Sequence, residues 1–279
     1  MKKWFKLFAA LCLAAVLCVP LAACEWGSES GGSENGGSEN GGNLGDPSAV
    51  RTTVTEEEWN AAVYGDLVYS GIDGFLYDPK ANVTIVSATS MTGENGEVEK
   101  HRIVVQIDGN KRYYKLNMEQ TIGAESEELT MEGYAELLSY PEDGEGIFVM
   151  NVYSKDENGV WTVERQESTL GTDDESIDIS PYEQVLAYEN FTYNASLRQY
   201  EARDLVFDYG KAWEEEFGEE FYGELIYTFE LFTFRFENGK LICREEQGKV
   251  EADGFVGSYV GDVTYSYGTA SVTLPVVGE

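Results

Sequence analysis

Three kinds of side chain in this sequence could carry chemistry: four cysteines, a single histidine and a surplus of carboxylates. A nucleophilic triad needs a histidine held between a nucleophile and an orienting acid. His101 stands at the start of an apolar alternation with no companion cysteine and no serine motif nearby, so it is read as a strand-edge or surface histidine without a catalytic role. The 51 acidic residues could include a carboxylate pair, but glycoside chemistry needs two carboxyls about 5–10 Å apart, a spatial relation that no motif in the chain singles out. The acidic stretch 208–222 lacks the ligand spacing of an EF-hand loop. No catalytic residue, metal site or cofactor is assigned, and the chain is read as non-enzymatic.

The cysteines separate by position. Cys12 and Cys18 lie in an N-terminal segment with three lysines (Lys2, Lys3, Lys6) and an apolar run from Leu7 to Leu21. Such a run is a secretory signal, too short to span a bilayer, which takes about 20 apolar residues. It ends Leu21-Ala22-Ala23-Cys24. This ending resembles the lipobox of bacterial lipoproteins, and the resemblance implies cleavage before Cys24 and a diacylglyceryl-type anchor on that cysteine. Several acyl chains anchor a protein where one holds it only marginally. Cys243 is then the one thiol left in the mature chain, which excludes an internal disulfide. Its setting in Leu241-Ile242-Cys243 predicts a buried, unreactive thiol.

Charge narrows the partners. The net charge is −32, and loss of the three signal lysines takes it to −35, which repels nucleic acid and leaves no basic patch for anionic lipid. Membrane contact is therefore expected through the anchor alone. Residues 24–49 follow as lipidated cysteine and linker, with Gly31-Gly32-Ser33-Glu34-Asn35 repeated from Gly36 to Asn40. About 22 residues of such a coil reach roughly 25 Å, the kind of stalk expected of a lipoprotein facing the wall of a Gram-positive type of cell envelope. Residues 50–279 are read as one extracytoplasmic domain, and no protein partner can be named.

The elements that must position any site are legible in part. Thr55 and Glu58 form a capping box with Val54 and Trp59 as the staple, so a helix begins here and buries Trp59 and Val63. From Asn82 the apolar period becomes two, with turns at Asn95-Gly96, Asp108-Gly109 and Asn238-Gly239. A second helix is expected at Thr130–Ser139, a third from Ser180, and an aromatic-striped helix within Asp208–Tyr222. The run Glu224–Phe236 changes phase after Leu231, which predicts a bulge or a strand covered on both faces. Val272–Pro275 is expected to be a closing edge strand. Asn82-Val83-Thr84 and Asn190-Phe191-Thr192 each follow a helix, which suggests two related halves.

The expected fold is α+β: a long curved antiparallel sheet, a half-barrel-like meander packed with a few helices. The opening helix, the meander and the closing Tyr267-Gly268 with Val272, Leu274 and Pro275 resemble the LolA-like and LppX-like lipoprotein superfamily. That resemblance implies an unclosed sheet around an apolar cavity for acyl chains. Trp213, Phe217, Phe221, Phe229, Phe232 and Phe234 are the candidate lining of such a cavity, for a hydrophobic small molecule or lipid. The alternative is an interaction or scaffold module with no cavity.

Overall fold

The computed structural model describes residues 50–67, 80–139, 146–156, 158–170, 184–208, 225–252 and 255–278. The lipobox, the linker, the acidic loop 171–178 and the acidic stretch from Tyr209 to Tyr222, with Trp213, Phe217 and Phe221, lie outside them.

Among the described residues the first element is a helix, α1 (Glu56–Leu67), followed by β1 (Asn82–Gly93), β2 (Val98–Asp108), β3 (Lys111–Ile122), β4 (Glu125–Ser139), β5 (Gly146–Lys155) and β6 (Trp161–Leu170). A 3-10 turn at Tyr188–Asn190 then leads to β7 (Thr192–Asn194), β8 (Gln199–Ala202), β9 (Leu205–Asp208), β10 (Leu225–Glu237), β11 (Lys240–Ala252) and β12 (Phe255–Tyr267). All twelve strands join one antiparallel sheet in the order β6-β5-β4-β3-β2-β1-β12-β11-β10-β8-β7, with β9 beside β8 along β10. No helix among the described residues is long and apolar enough to cross a membrane.

The α+β expectation is corrected: the described residues are nearly all β, with one helix among the strands. Thr130–Ser139 is not helical but the second part of β4, which pairs with β3 without a break from Lys111 to Ile122. Its Tyr134, Leu137 and Leu138 fit a helical face locally, but unbroken ladder pairing overrides so weak a preference. Of the helix expected from Ser180, the described part is a helical turn at Gln184 and Val185 that leads into buried Leu186. The two related halves are not supported either. Asn82 begins a central strand whereas Asn190 precedes the short outermost strand β7, and their side chains serve different ends. Asn82 Nδ2 donates to Asp108 Oδ1 and the Ala270 carbonyl, while Asn190 Nδ2 donates to the Gln184 and Val185 carbonyls.

The closing segment is likewise no strand. Residues 269–278 run as an irregular strap past the ends of β1 and β2, with the Ala270 amide donating to Asn82 Oδ1 and the Val272 amide to Asp108 Oδ2. Its Gly278 lies against Val160, before β6. The last true strand, β12, is at the centre of the sheet, between β1 and β11.

The core lies on one face. α1 is capped reciprocally: the Glu58 amide donates to Thr55 Oγ1 at 3.2 Å and the Thr55 amide to Glu58 Oε2 at 3.0 Å. The helix drives Trp59, fully buried, into a nest of Tyr188, Phe191, Tyr200, Phe234 and Phe236, with ring centroids 4.9–5.6 Å away. Trp59 Nε1 donates to the Leu186 carbonyl at 3.0 Å, so the indole is both packed and satisfied.

Candidate functional site

Strand alternation sorts the sheet into an inner face, in phase with Val83 and Ile85, and an outer face, in phase with Thr84 and Val86. The inner face carries the aromatic core at one end and charged groups further along. One row across the strands reads Met118, His101, Thr89, Gly261, Glu246 and Phe232. The next toward the β1–β2 turn reads Gln120, Glu99, Met91, Tyr259, Gly248 and Phe229. Charges thus stand among apolar side chains on a face that is otherwise core.

These polar groups are paired. His101, only 7% exposed, sits with Nε2 2.6 Å from Glu99 Oε1. Arg244 Nε lies 2.8 Å from Glu246 Oε1, and the Tyr259 hydroxyl donates to Glu246 Oε2 at 2.8 Å. Burial, with the Glu246 charge beside it, pushes the Tyr259 phenol well above its ordinary range, so it stays a donor at any physiological pH. Buried charges persist only when so partnered. The two groups lie three strands apart, about 14 Å at ordinary strand spacing, separated by small Thr89 and Gly261. Tyr259 reaches Glu246 by lying across Gly261, whose added Cβ would stand 2.6 Å from the phenolic oxygen. The arrangement can hold a polar or charged group against an apolar surface. Among the described residues no cluster of acids, histidines or cysteines is placed to hold a metal ion.

The sequence-based expectations fare unevenly here. Phe229, Phe232 and Phe234 do share the inner face, because a bulge between Phe229 and Leu231 brings the two phases of β10 to one side. Phe232 and Phe234 are packed inside the aromatic nest with Phe191. Phe229 lies toward Tyr227 and Tyr259, nearer the charged row. The edge reading of His101 is corrected. β2 begins at Val98, before its apolar alternation does, so His101 falls in phase with Ile103, Val105 and Ile107 and is buried. Counting the period back from Ile107 is the signal that finds it, and the same count finds Glu99.

Cys243 is a free, buried thiol on the outer face beneath Arg235, whose Nη2 is 3.0 Å from Sγ. Burial pushes that thiol up in pKa and the guanidinium only partly opposes it, which keeps the group protonated and unreactive.

No family model and no curated protein matches the sequence. Among solved structures, the N-terminal β-barrel domain of Pseudomonas aeruginosa OprF is similar at 8% identity, with a TM-score of 0.19, over 67% of this chain and 98% of that one. A porin-like protein from Bacteroides uniformis is similar at 10% identity, with a TM-score of 0.22, over the same shares of the two chains. At such scores the likeness carries no inference about this chain.

Proposed function

We propose that this protein is a lipid-anchored, extracytoplasmic binding protein without enzymatic activity, held to the membrane through Cys24 and taking an amphiphilic, largely hydrophobic ligand on the inner face of its sheet. The observation that carries the ligand reading is the mixture on that face: Leu116, Met118, Met91 and Phe229 stand beside the polar pair His101–Glu99 and the ion pair Arg244–Glu246. A purely structural core gains nothing from buried ion pairs, which often cost as much as they return. A surface that must accept an apolar body and a polar end does.

The anchor reading rests on the basic start, apolar run and Leu21-Ala22-Ala23-Cys24 ending. The outer face supports a solvated domain: Lys100, Arg102, Lys115 and Glu119 alternate outward along β2 and β3, where a lipid-facing barrel would carry apolar side chains.

Two measurements test the two parts. Labelled palmitate should be incorporated into the protein in a bacterial host and lost in Cys24→Ser, which should appear in the medium; unchanged membrane retention of that variant would overturn the anchor. Native mass spectrometry of the full chain released from detergent should show a stoichiometric adduct, weakened in Glu246→Leu. A bare protein mass, together with no uptake of a fluorescent fatty acid or fatty amine, would overturn the ligand reading.

A further inference from the structure

On β1–β6 and β10–β12 the aromatic side chains of the outer face occur together, on the wing formed by β3 to β6. A single row across the strands reads Tyr153, Tyr134, Tyr113, Gln106 and Thr84, each paired with the next in register; Tyr153 is buried, so the rings open to solvent are Tyr134, Tyr113 and the neighbouring Trp161, each half-buried. Tyr113 and Tyr134 stand 5.0 Å apart by ring centroids, Trp161 meets Tyr134 at 5.2 Å, and Lys155 Nζ caps the indole at 4.9 Å. The row ends at Val163, 43% exposed on edge strand β6. Cross-strand aromatic pairs stabilise a sheet, but that purpose does not require the solvent face, nor that the row continue into an amide and a hydroxyl.

We propose that this row is a binding site for an uncharged glycan strand, lying across β6 to β1. From Tyr153 to Thr84 the row crosses four strand spacings, roughly 19 Å, the length of a short oligosaccharide. The chemistry fits a sugar polymer at both ends. Pyranose C–H faces rest on aromatic rings, and hydroxyls need the amide, hydroxyl and ammonium groups that flank them here. The Tyr153 hydroxyl already donates to Glu136 Oε2 at 3.3 Å, and Lys155 pairs with Glu132, so the polar groups are held in place beside the rings. Glu132 and Glu136, with the net charge of −32, exclude a polyanionic polymer from the same surface. A site of this kind is independent of any ligand on the inner face.

Retention of the full-length protein in detergent on insoluble chitin, and on peptidoglycan sacculi stripped of their anionic polymers, tests the site. Both tell a general sugar platform from one restricted to wall glycan, and retention on either supports the proposal. Trp161→Ala and Tyr134→Ala should each weaken retention about tenfold, a loss of about 1.4 kcal/mol. Val163→Arg, at an exposed position the fold tolerates, should do the same by laying a long side chain across the row. Val260→Ser, on the outer face of β12, should bind as the parent does. Absence of retention on both glycans would overturn the proposal, as would full retention by Val163→Arg. So would a concentration-dependent dimer that Trp161→Ala dissolves, since the row would then be a contact between two copies.

Discussion

At the scale of single residues, the best-defined contributions come from the first turn of α1. Glu58 accepts from the Thr55 amide and from both terminal nitrogens of Arg51, and the guanidinium, first of these influences, lowers its carboxyl from 4.5 to about 2. A depressed carboxyl stabilises the fold above its unfolded pKa and ceases to do so as pH falls through the folded one. The melting temperature should therefore drop between pH 4.5 and 2, and Glu58→Gln should flatten that part of the profile while lowering stability at neutral pH. Trp59 is a larger item. Truncation to Ala leaves a cavity among five aromatic rings and frees the Leu186 carbonyl. A cost of about 3–5 kcal/mol is expected in urea unfolding.

At the scale of elements, glycines decide how aromatics lie on the sheet. Tyr114 of β3 covers its cross-strand partner Gly133 of β4 so closely that any Cβ there would overlap the phenol. Phe255 similarly overlies Gly93 and Gly257. Gly133→Ala should destabilise the protein, and adding Tyr114→Ala should recover part of the loss, a non-additive pair in a double-mutant cycle. The strap has a testable role too: chain termination after Gly268 removes buried Ala270 and Val272 and their bonds to Asn82 and Asp108, at about 3 kcal/mol by thermal melting. Much of this scale was legible beforehand. The capping box, the turns at Gly96, Gly109 and Gly239, and the bulge in β10 all announce themselves within a few residues, and Asn238-Gly239 takes the positive φ of 51° and 81° that its hairpin needs. What escaped was whatever depends on a partner far away. β4 is a strand because β3 lies beside it, and Glu246 meets Tyr259 because two strands happen to share a register. The strap is held by Asn82 and Asp108, which no local pattern links to residues 270 and 272.

At the scale of the whole molecule, the sheet is continuous through β1 and β12, and the main buried cluster runs from β2 across β1 and β12 to β10. Unfolding in denaturant should be a single transition, with tryptophan fluorescence and far-UV circular dichroism coincident; separate midpoints would mean that the wing of β3 to β6 melts by itself. The central place of the final strand has a further consequence in time. A chain made from its N-terminus delivers β1 early, with one edge bare, and the partner of that edge, β12, is the last of the described strands to emerge. Until residues 255–267 are made, β1 and β11 both present open edges to neighbouring chains. A cell making this protein thus has to carry an unfinished sheet for much of its synthesis. Truncations that remove β12 should show themselves as aggregation rather than as a shortened but working product.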